Sequence, residues 1–275
     1  MHLAGMNITY RHFPFEHFLD SMLDLGVNRV ELWAGEPHLY VNRGGFRQVR
    51  RIRRELRSRN MQVVCYTPEQ CVYPYNLASS DVELRRRSVE YFVDNLYAAL
   101  ELDCTMLLVT SGIGDFHLPL EQSWEAAADS IGQLARIAER EGVTLALEPL
   151  TRFESNLITD VLGVKNMQER VRSPALKGMI DAVAMQLAGE TAADYFSQLP
   201  ELCHFHLIDG EGTSDAHLAL DDGTLDWRGT LAELKRCGYE GTCTLEIMGY
   251  RYYQNPHDTV MDSVRRVREL GILSS

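Results

Sequence analysis

Apolar runs of strand length recur along the chain, and most of them are continuous rather than alternating with polar residues. Parallel strands that are covered on both faces have this pattern, because neither face meets water. We therefore predict eight internal strands. The runs cover residues 3–8, 27–33, 61–67, 104–110, 143–148, 176–181, 203–209 and 242–248.

Segments with helical spacing lie between these runs. One of them begins with Pro119 and ends with Gly142, which are typical residues at the two ends of a helix. The helical segments cover 14–26, 46–59, 81–103 and 119–142, and lie near 160–172, 191–200, 226–237 and 256–271.

The repeated alternation of strand and helix predicts an α/β fold, a (β/α)8 TIM barrel that forms a single domain over residues 1–275. A doubly wound open sheet is the alternative. That fold more naturally carries a glycine-rich phosphate loop after its first strand. Here the chain continues as NITYRHFPF, which contains no such loop, so the barrel is favoured.

Charge and hydropathy narrow the class of partner. The net charge of −12 repels nucleic-acid phosphates, so no nucleic-acid partner is expected. The arginine-rich segment 46–59 has its apolar residues at helical spacing and is interpreted as a solvated helix face. No run reaches the roughly 18 apolar residues of a membrane helix, so no membrane partner is expected either.

The cysteines and the first residues of the chain favour a cytoplasmic location. Six cysteines are scattered without a CxxC pair, as is typical of buried thiols in a reducing compartment. The segment MHLAGMNITYRHF lacks the basic and apolar regions of a secretory signal.

Four potential metal ligands lie at or near the ends of four consecutive predicted strands. In a TIM barrel these ends converge on the active site. Three carboxylates and one imidazole suit one divalent cation, with Mn²⁺ favoured and Co²⁺, Ni²⁺, Mg²⁺ and Zn²⁺ as alternatives. His204 shares a strand face with His206, and composition alone does not choose between the two. The candidate ligands are Glu148, Asp181, His206 and Glu246.

Sequence blocks around these residues resemble the xylose-isomerase-like TIM barrels, in particular the ketose 3-epimerases of the tagatose/psicose and fructoselysine types. The blocks are VELWAGEPH (30–38), LEPLTRFESN (147–156), MID (179–181), HFHLID (204–209), DDGTLDW (221–227) and GYEGTCTLEI (238–247). Two loop segments are similar to the fructoselysine type. They are YTPEQCVYPYN (66–76) and HLIDGEGTSDAH (206–217).

The resemblance implies a metal site of Glu148, Asp181, His206 and Glu246, with His206 rather than His204 as the ligand. It also implies that Glu154 contacts the sugar near the reacting hydroxyls. Two positions depart from the tagatose-type pattern. Ala184 stands where that pattern has a histidine, and Gly212 stands where it has an arginine. Both departures agree with the fructoselysine type.

The chemistry that follows is C3 epimerisation of a ketose through a metal-stabilised enediolate. A proton must leave one face of the sugar and return on the other, which requires two groups. We interpret Glu148 and Glu246 as this catalytic acid/base pair. The expected substrate is fructoselysine or a related unphosphorylated ketose, and by resemblance the protein is expected to form a dimer or tetramer.

Further residues are candidates for substrate binding. Aromatic side chains near the barrel mouth can form its walls, and an Asp-x-His pair follows the seventh strand. The loop residues His38 and His117 have weaker claims. The candidates, with Glu154, are Trp33, Tyr66, Tyr73, Tyr75, Asp215 and His217.

Other functions fit parts of the pattern. Aldose–ketose isomerisation and dehydration of the inosose type use similar strand-end ligands. An apurinic endonuclease on a related barrel is a remote alternative, because its metal cluster requires a histidine where Ala184 stands. A sugar-binding protein without catalysis is disfavoured by the intact set of four ligands.

Overall fold

Eight parallel strands close into a barrel in the computed structural model, which describes residues 1–41, 46–199 and 201–272. The strands pair in chain order, and β1 closes the barrel against β8. The predicted fold class is confirmed. The strands are β1 His2–Met6, β2 Arg29–Ala34, β3 Gln62–Pro68, β4 Met106–Val109, β5 Thr144–Leu147, β6 Leu176–Asp181, β7 Leu202–Leu207 and β8 Thr242–Leu245.

Helices follow the strands and form the outer layer of the barrel. Each predicted helical segment overlaps an observed helix, although residue 200, at the end of the segment near 191–200, lies outside the described residues. Helix α6 was not predicted. The helices are α1 Phe15–Asp24, α2 Phe46–Ser58, α3 Val82–Glu101, α4 Leu120–Glu141, α5 Val161–Val171, α6 Ala182–Ala188, α7 Ala192–Gln198, α8 Trp227–Arg236 and α9 Pro256–Glu269.

The apolar core has a large outer part and a small inner part. The outer part lies between the strands and the helices and contains most of the buried apolar side chains, as a barrel covered on its outer face requires. The inner part is a separate cluster of Cys65, Leu108, Ala146 and Met179. Buried polar residues lie inside the barrel as well, among them Glu31 and His204. The barrel interior therefore supports a polar site at its carboxyl end.

The arginine-rich segment forms α2, which buries Val49, Ile52 and Leu56, as the spacing predicts. No helix in the described part of the chain is both long and apolar enough to cross a membrane. The domain bounds of 1–275 stay a prediction, since residues 42–45, 200 and 273–275 lie outside the described residues.

Candidate active site

The four candidate ligands meet at the carboxyl end of the barrel. Glu148 and Glu246 directly follow β5 and β8, Asp181 ends β6, and His206 lies in β7. All four side chains are buried, and one ligand atom from each lies within 4.8 Å of the others. Four strands of the barrel thus bring together residues that are up to 98 positions apart in the chain.

Nδ1 of His206 lies close to all three candidate carboxylates. It is 2.9 Å from Oε1 of Glu148, 2.8 Å from Oε2 of Glu246 and 3.8 Å from Oδ2 of Asp181. Within the described part of the chain, no contact of this buried nitrogen has the geometry of a hydrogen bond. Donors bound to one small divalent cation at roughly 2.1 Å are separated by about 3 Å when they are adjacent. The spacing therefore fits ligands that share one ion.

The two carboxylate oxygens of Asp181 have different roles. Oδ1 accepts a hydrogen bond of 2.7 Å from the backbone N–H of Ala184 and so caps α6. Oδ2 is buried and has no hydrogen-bond partner among the residues that the structure describes. A buried carboxylate oxygen without a partner is costly, and a cation at this position would remove that cost. The donor set therefore fits a divalent metal.

Glu31 supports the ligand histidine from inside the barrel. This fully buried carboxylate on β2 accepts hydrogen bonds from Nε2 of His206 at 3.1 Å and Nε2 of His204 at 2.6 Å, and from the hydroxyl of Thr67. A proton on Nε2 leaves Nδ1 of His206 with a lone pair directed at the carboxylates. Sequence reasoning missed Glu31, although a charged residue inside the apolar run VELW was a signal.

His204 lies deeper in the barrel than His206. Its Nε2 contacts Glu31 and lies 3.2 Å from the hydroxyl of Thr244. Glu31, Cys65 and His204 form a second group of atoms that could hold a metal. The carboxylate of Glu31 already accepts hydrogen bonds from both histidines and from Thr67, so we interpret this group as support for His206.

Replacing Glu31 by glutamine is expected to weaken Mn²⁺ binding about 10- to 100-fold, because the amide cannot accept hydrogen bonds from two imidazoles as the carboxylate does. Calorimetric titration of the metal-free protein with Mn²⁺ measures this change. Glu169→Gln, an exposed change on α5, serves as the matched control. Equal Mn²⁺ affinity in both variants would show that Glu31 does not orient the ligand.

The electrostatic balance of the site favours a bound cation. Burial raises the pKa of Glu148 to about 8, with Glu246 and Asp181 adding to the shift and His206 opposing it. Burial disfavours a charged His206, but Glu246, Glu31 and Glu148 outweigh it and raise its pKa well above the usual value. A nearby cation stabilises ionised carboxylates. A metal would thus keep Glu148 ionised and able to accept a proton at neutral pH.

The loop after β7 brings His217 to the same site. Its imidazole is buried, and Nε2 lies 3.6 Å from Oδ2 of Asp181 and 3.7 Å from Oε2 of Glu246. Burial lowers its pKa, but the neighbouring carboxylates, Asp181 first, outweigh this and raise the pKa to about 10. The carbonyl of His217 accepts a hydrogen bond of 2.9 Å from the backbone N–H of Met248, which holds the loop beside the end of β8.

Glu154 and Asp215 lie next to His217 at the mouth. Burial raises the pKa of Glu154 to about 7, and Asp215 adds to this shift. Burial also raises the pKa of Asp215, whose Oδ1 is buried without a hydrogen-bond partner. The structure thus brings Glu154 and His217 into the pocket lined by the candidate ligands, and Asp215 lies two positions before His217 in the same loop.

Asp209 anchors the loop that carries His217. Its buried carboxylate accepts hydrogen bonds of 2.8–3.0 Å from four backbone N–H groups. A Cβ atom on Gly223 would lie 2.4 Å from Oδ1 of Asp209, so glycine is required for this close approach. The donors are Gly210, Asp221, Gly223 and Leu225.

Replacing Asp209 by alanine is expected to reduce the free energy of unfolding by about 2–4 kcal/mol, because four backbone donors lose their acceptor. Chemical denaturation measures the loss. Asp24→Ala, an exposed change at the end of α1, is expected to stay within about 0.5 kcal/mol of the parent protein. A similar result for the two variants would contradict the anchoring role.

The aromatic candidates divide into two pairs. Trp33 lines the pocket that is formed around the candidate ligands, and Tyr73 lines a second cavity that shares Trp33 with this pocket. The interpretation of Tyr66 as a pocket wall is not supported, because its ring is fully buried and its hydroxyl donates to Asn95 on α3. Tyr75 lines neither cavity. It stacks on Tyr91 with ring centroids 3.9 Å apart.

The loop histidines do not belong to the group of candidate metal ligands. His38 is buried, with Nε2 2.8 Å from the carbonyl of Phe13 and Nδ1 2.9 Å from the amide of Asn7. His117 is exposed. Gly212, which stands where the tagatose-type pattern has an arginine, has a φ of +72°. This backbone conformation disfavours any residue with a side chain.

Two adjoining cavities open at this end of the barrel. The first, which we call the metal pocket, has a volume of about 160 Å³. It is lined by Glu148, Asp181, Glu246, His217 and Glu154, among others. The second cavity measures about 700 Å³ and shares Arg11, Trp33 and Val72 with the first.

Comparison with known proteins gives one family over most of the chain. The sequence profile of the xylose isomerase-like TIM barrel matches residues 19–270. Fructoselysine 3-epimerase of Escherichia coli O157:H7 is 30% identical over 265 residues, which cover 95% of each chain.

Solved structures share the fold. D-psicose 3-epimerase from Clostridium cellulolyticum H10, determined with D-tagatose, superposes with a TM-score of 0.78 at 18% identity and covers 100% of both chains. A D-tagatose 3-epimerase-like protein has a TM-score of 0.81 at 18% identity, covering 98% of this chain and 99% of the other. The named relatives include carbohydrate epimerases, which are isomerases, and the predicted enzyme class is confirmed at that level. The chain belongs to the xylose isomerase-like TIM-barrel family.

Proposed function

We propose that the chain is a divalent-metal-dependent ketose 3-epimerase that acts on fructoselysine or a related unphosphorylated ketose. The observation that supports this proposal is that a carboxylate oxygen of Glu148 and one of Glu246 each lie within 3 Å of Nδ1 of His206, in a buried group of four candidate ligands at the mouth of the barrel. The relative at 30% identity supports the substrate class.

The metal would be held by Glu148, Asp181, His206 and Glu246. Mn²⁺ is the favoured ion, since this set combines hard carboxylate oxygens with one imidazole. When bound, the ion supplies Lewis-acid stabilisation of the negative charge that develops on the substrate oxygens during proton removal.

Glu148 and Glu246 move the proton. Each carboxylate approaches His206 through one oxygen, which leaves the other oxygen to act on the substrate. One carboxylate takes the proton from C3, and the other returns a proton to the opposite face of the planar enediolate. The configuration of the substrate decides which residue acts first.

The remaining pocket residues position the sugar. Glu154, with a pKa of about 7, can accept or donate a hydrogen bond to a sugar hydroxyl near neutral pH. His217 lines the same pocket from the loop after β7, and Asp215 lies in that loop. His217 would supply the basic group that is missing at Ala184 and Gly212, where the tagatose-type pattern has a histidine and an arginine. Trp33 forms an apolar wall, with its indole N–H donating to Glu69 at 2.9 Å.

Product identification tests this proposal. Metal-free protein is incubated with fructoselysine, psicose, fructose or tagatose, with and without added Mn²⁺, and the products are separated by chromatography. A C3 epimer that forms only with metal supports the proposal. An aldose product would replace it with aldose–ketose isomerisation, and a dehydrated product with a dehydratase.

Several expectations from the sequence stay predictions. They are the identity of the metal in the cell, a dimer or tetramer, the cytoplasmic location and the absence of a nucleic-acid partner. A small sugar as the bound molecule is consistent with the relatives.

A further inference from the structure

The larger of the two cavities is not used by the chemistry described above. Ligand pockets commonly have volumes of roughly 300–1,000 Å³. The metal pocket, at about 160 Å³, lies below that range, whereas the adjoining cavity, at about 700 Å³, lies within it. A molecule that reacts in the first can therefore extend into the second past their shared wall of Arg11, Trp33 and Val72.

Arg11 lines both cavities and has no acidic partner among the described residues. It follows the 3-10 turn after β1, and its guanidinium lies 4.5 Å from the ring centroid of Tyr253. No carboxylate of the described residues forms an ion pair with Arg11. Arg51, in the same cavity, is neutralised by Glu16 at 2.6 Å. The net charge of the chain is −12, yet Arg11 has no described carboxylate as its ion-pair partner. Its guanidinium can therefore bind an anionic group of the ligand.

The rest of the cavity offers apolar walls and one exposed carboxylate. Trp33, Phe13 and Tyr73 contribute aromatic surface. Glu36 lines the cavity and is exposed, and its backbone N–H donates to the hydroxyl of Tyr73 at 2.7 Å. Aromatic side chains pack well against an aliphatic chain, and a carboxylate that lines the same cavity as an arginine can pair with an ammonium group of the ligand.

We propose that this cavity binds an amino-acid arm carried on C1 of the ketose, with its carboxylate on Arg11 and its ammonium group facing Glu36. The inference rests on the proposed function, since it places the reacting sugar in the metal pocket. It makes Arg11 a specificity residue that selects amino-acid-linked ketoses over free sugars. A phosphate on the sugar could bind the Arg11 guanidinium in the same way as a carboxylate. The experiment therefore compares phosphorylated and amino-acid-linked ketoses directly.

The test is calorimetric binding to the Mn²⁺-loaded protein. The ligands are fructoselysine, fructose, fructose 6-phosphate, and fructose that carries a butylamino group on C1. The last keeps the secondary amine of fructoselysine but lacks the α-carboxylate and the α-ammonium group of its lysine. Arg11→Gln is compared with Arg50→Gln, which removes the same charge from an exposed position on α2 that lines neither cavity. Arg11→Lys tests whether a retained charge restores part of the affinity.

We expect Arg11→Gln to weaken fructoselysine binding about tenfold, as loss of a charged hydrogen bond does, with a much smaller change for the butylamino ligand. Arg50→Gln should change neither. Equal weakening for both ligands, no weakening, or preferential and Arg11-dependent binding of fructose 6-phosphate would each overturn the inference. Failure of every ketose to bind would overturn it as well.

The same samples separate this inference from the proposed function. Fructoselysine that binds in an Arg11-dependent way but shows no reaction at C3 would overturn the epimerase activity and leave the binding site intact. Epimerisation of fructoselysine without any dependence on Arg11 would support the activity and overturn the binding site.

Discussion

Replacing Glu246 by glutamine is expected to reduce C3 epimerisation by about 10³-fold or more, because the amide cannot transfer the proton on its face of the sugar. The reaction should be measured at saturating Mn²⁺, with bound metal determined in the same sample, since Glu246 is also a proposed ligand. With Glu148 intact, one epimer should still exchange its C3 proton with solvent deuterium while keeping its configuration. Exchange without inversion is the signature of two separate proton-transfer groups.

The matched control for this change is Glu240→Gln. Glu240 is exposed and precedes β8, whereas Glu246 follows it, so the two changes lie at opposite ends of one strand. Epimerisation by the control should equal that of the parent protein. If Glu246→Gln, with its metal bound, also epimerised at the parent rate, the two-carboxylate mechanism would be wrong.

Replacing His206 by glutamine is expected to weaken Mn²⁺ binding by more than about 100-fold, an effect larger than that of a supporting residue. The change also removes the only described imidazole that contacts both Glu31 and the ligand carboxylates, so the metal-free protein should lose about 3 kcal/mol of stability. Binding to the folded state alone stabilises a protein, by about 2.7 kcal/mol when the ligand is at 100 times its Kd. The parent protein should therefore melt at a higher temperature with Mn²⁺, and His206→Gln should not.

Thermal unfolding with and without Mn²⁺ measures both effects. His117→Gln, a change in an exposed loop, should retain the rise in melting temperature. A parent protein whose melting temperature is insensitive to all the candidate divalent cations, or a His206→Gln variant with an undiminished rise, would contradict the proposed ligand set.

The barrel and the convergence of its strand ends could be predicted because both follow from local pattern. Continuous apolar runs indicate strands covered on both faces, and a closed parallel barrel places their carboxyl ends at one mouth. Glu148 and Glu246 directly follow β5 and β8, so strand ends that lie one and three residues earlier than predicted did not change the prediction.

Side-chain direction explains why Tyr66 was misinterpreted. Alternate residues of a strand face opposite sides, and Thr67, which donates to Glu31, faces the barrel interior. Its neighbour Tyr66 therefore faces the helices, where Asn95 accepts its hydroxyl. The sequence shows that Tyr66 and Thr67 face opposite sides of β3. Which of the two faces the barrel interior depends on the register of β3, and no local pattern specifies that register.

The loop after β7 could not be predicted in the same way. His217 reaches the metal site because the buried carboxylate of Asp209 binds backbone groups as far along the chain as Leu225. Such contacts depend on the folded path of the backbone rather than on local residue preference. The role of Glu31 likewise depends on β7, which lies across the barrel interior from β2.

The most direct test of the central proposal is proton NMR of the Mn²⁺-loaded protein in D₂O with fructoselysine, psicose, fructose and tagatose. Deuterium should enter at C3 of at least one of these ketoses, together with the appearance of its C3 epimer. Deuterium confined to C1 with an aldose product, or no exchange on any of the four by protein with its metal bound, would contradict the assignment as a ketose 3-epimerase.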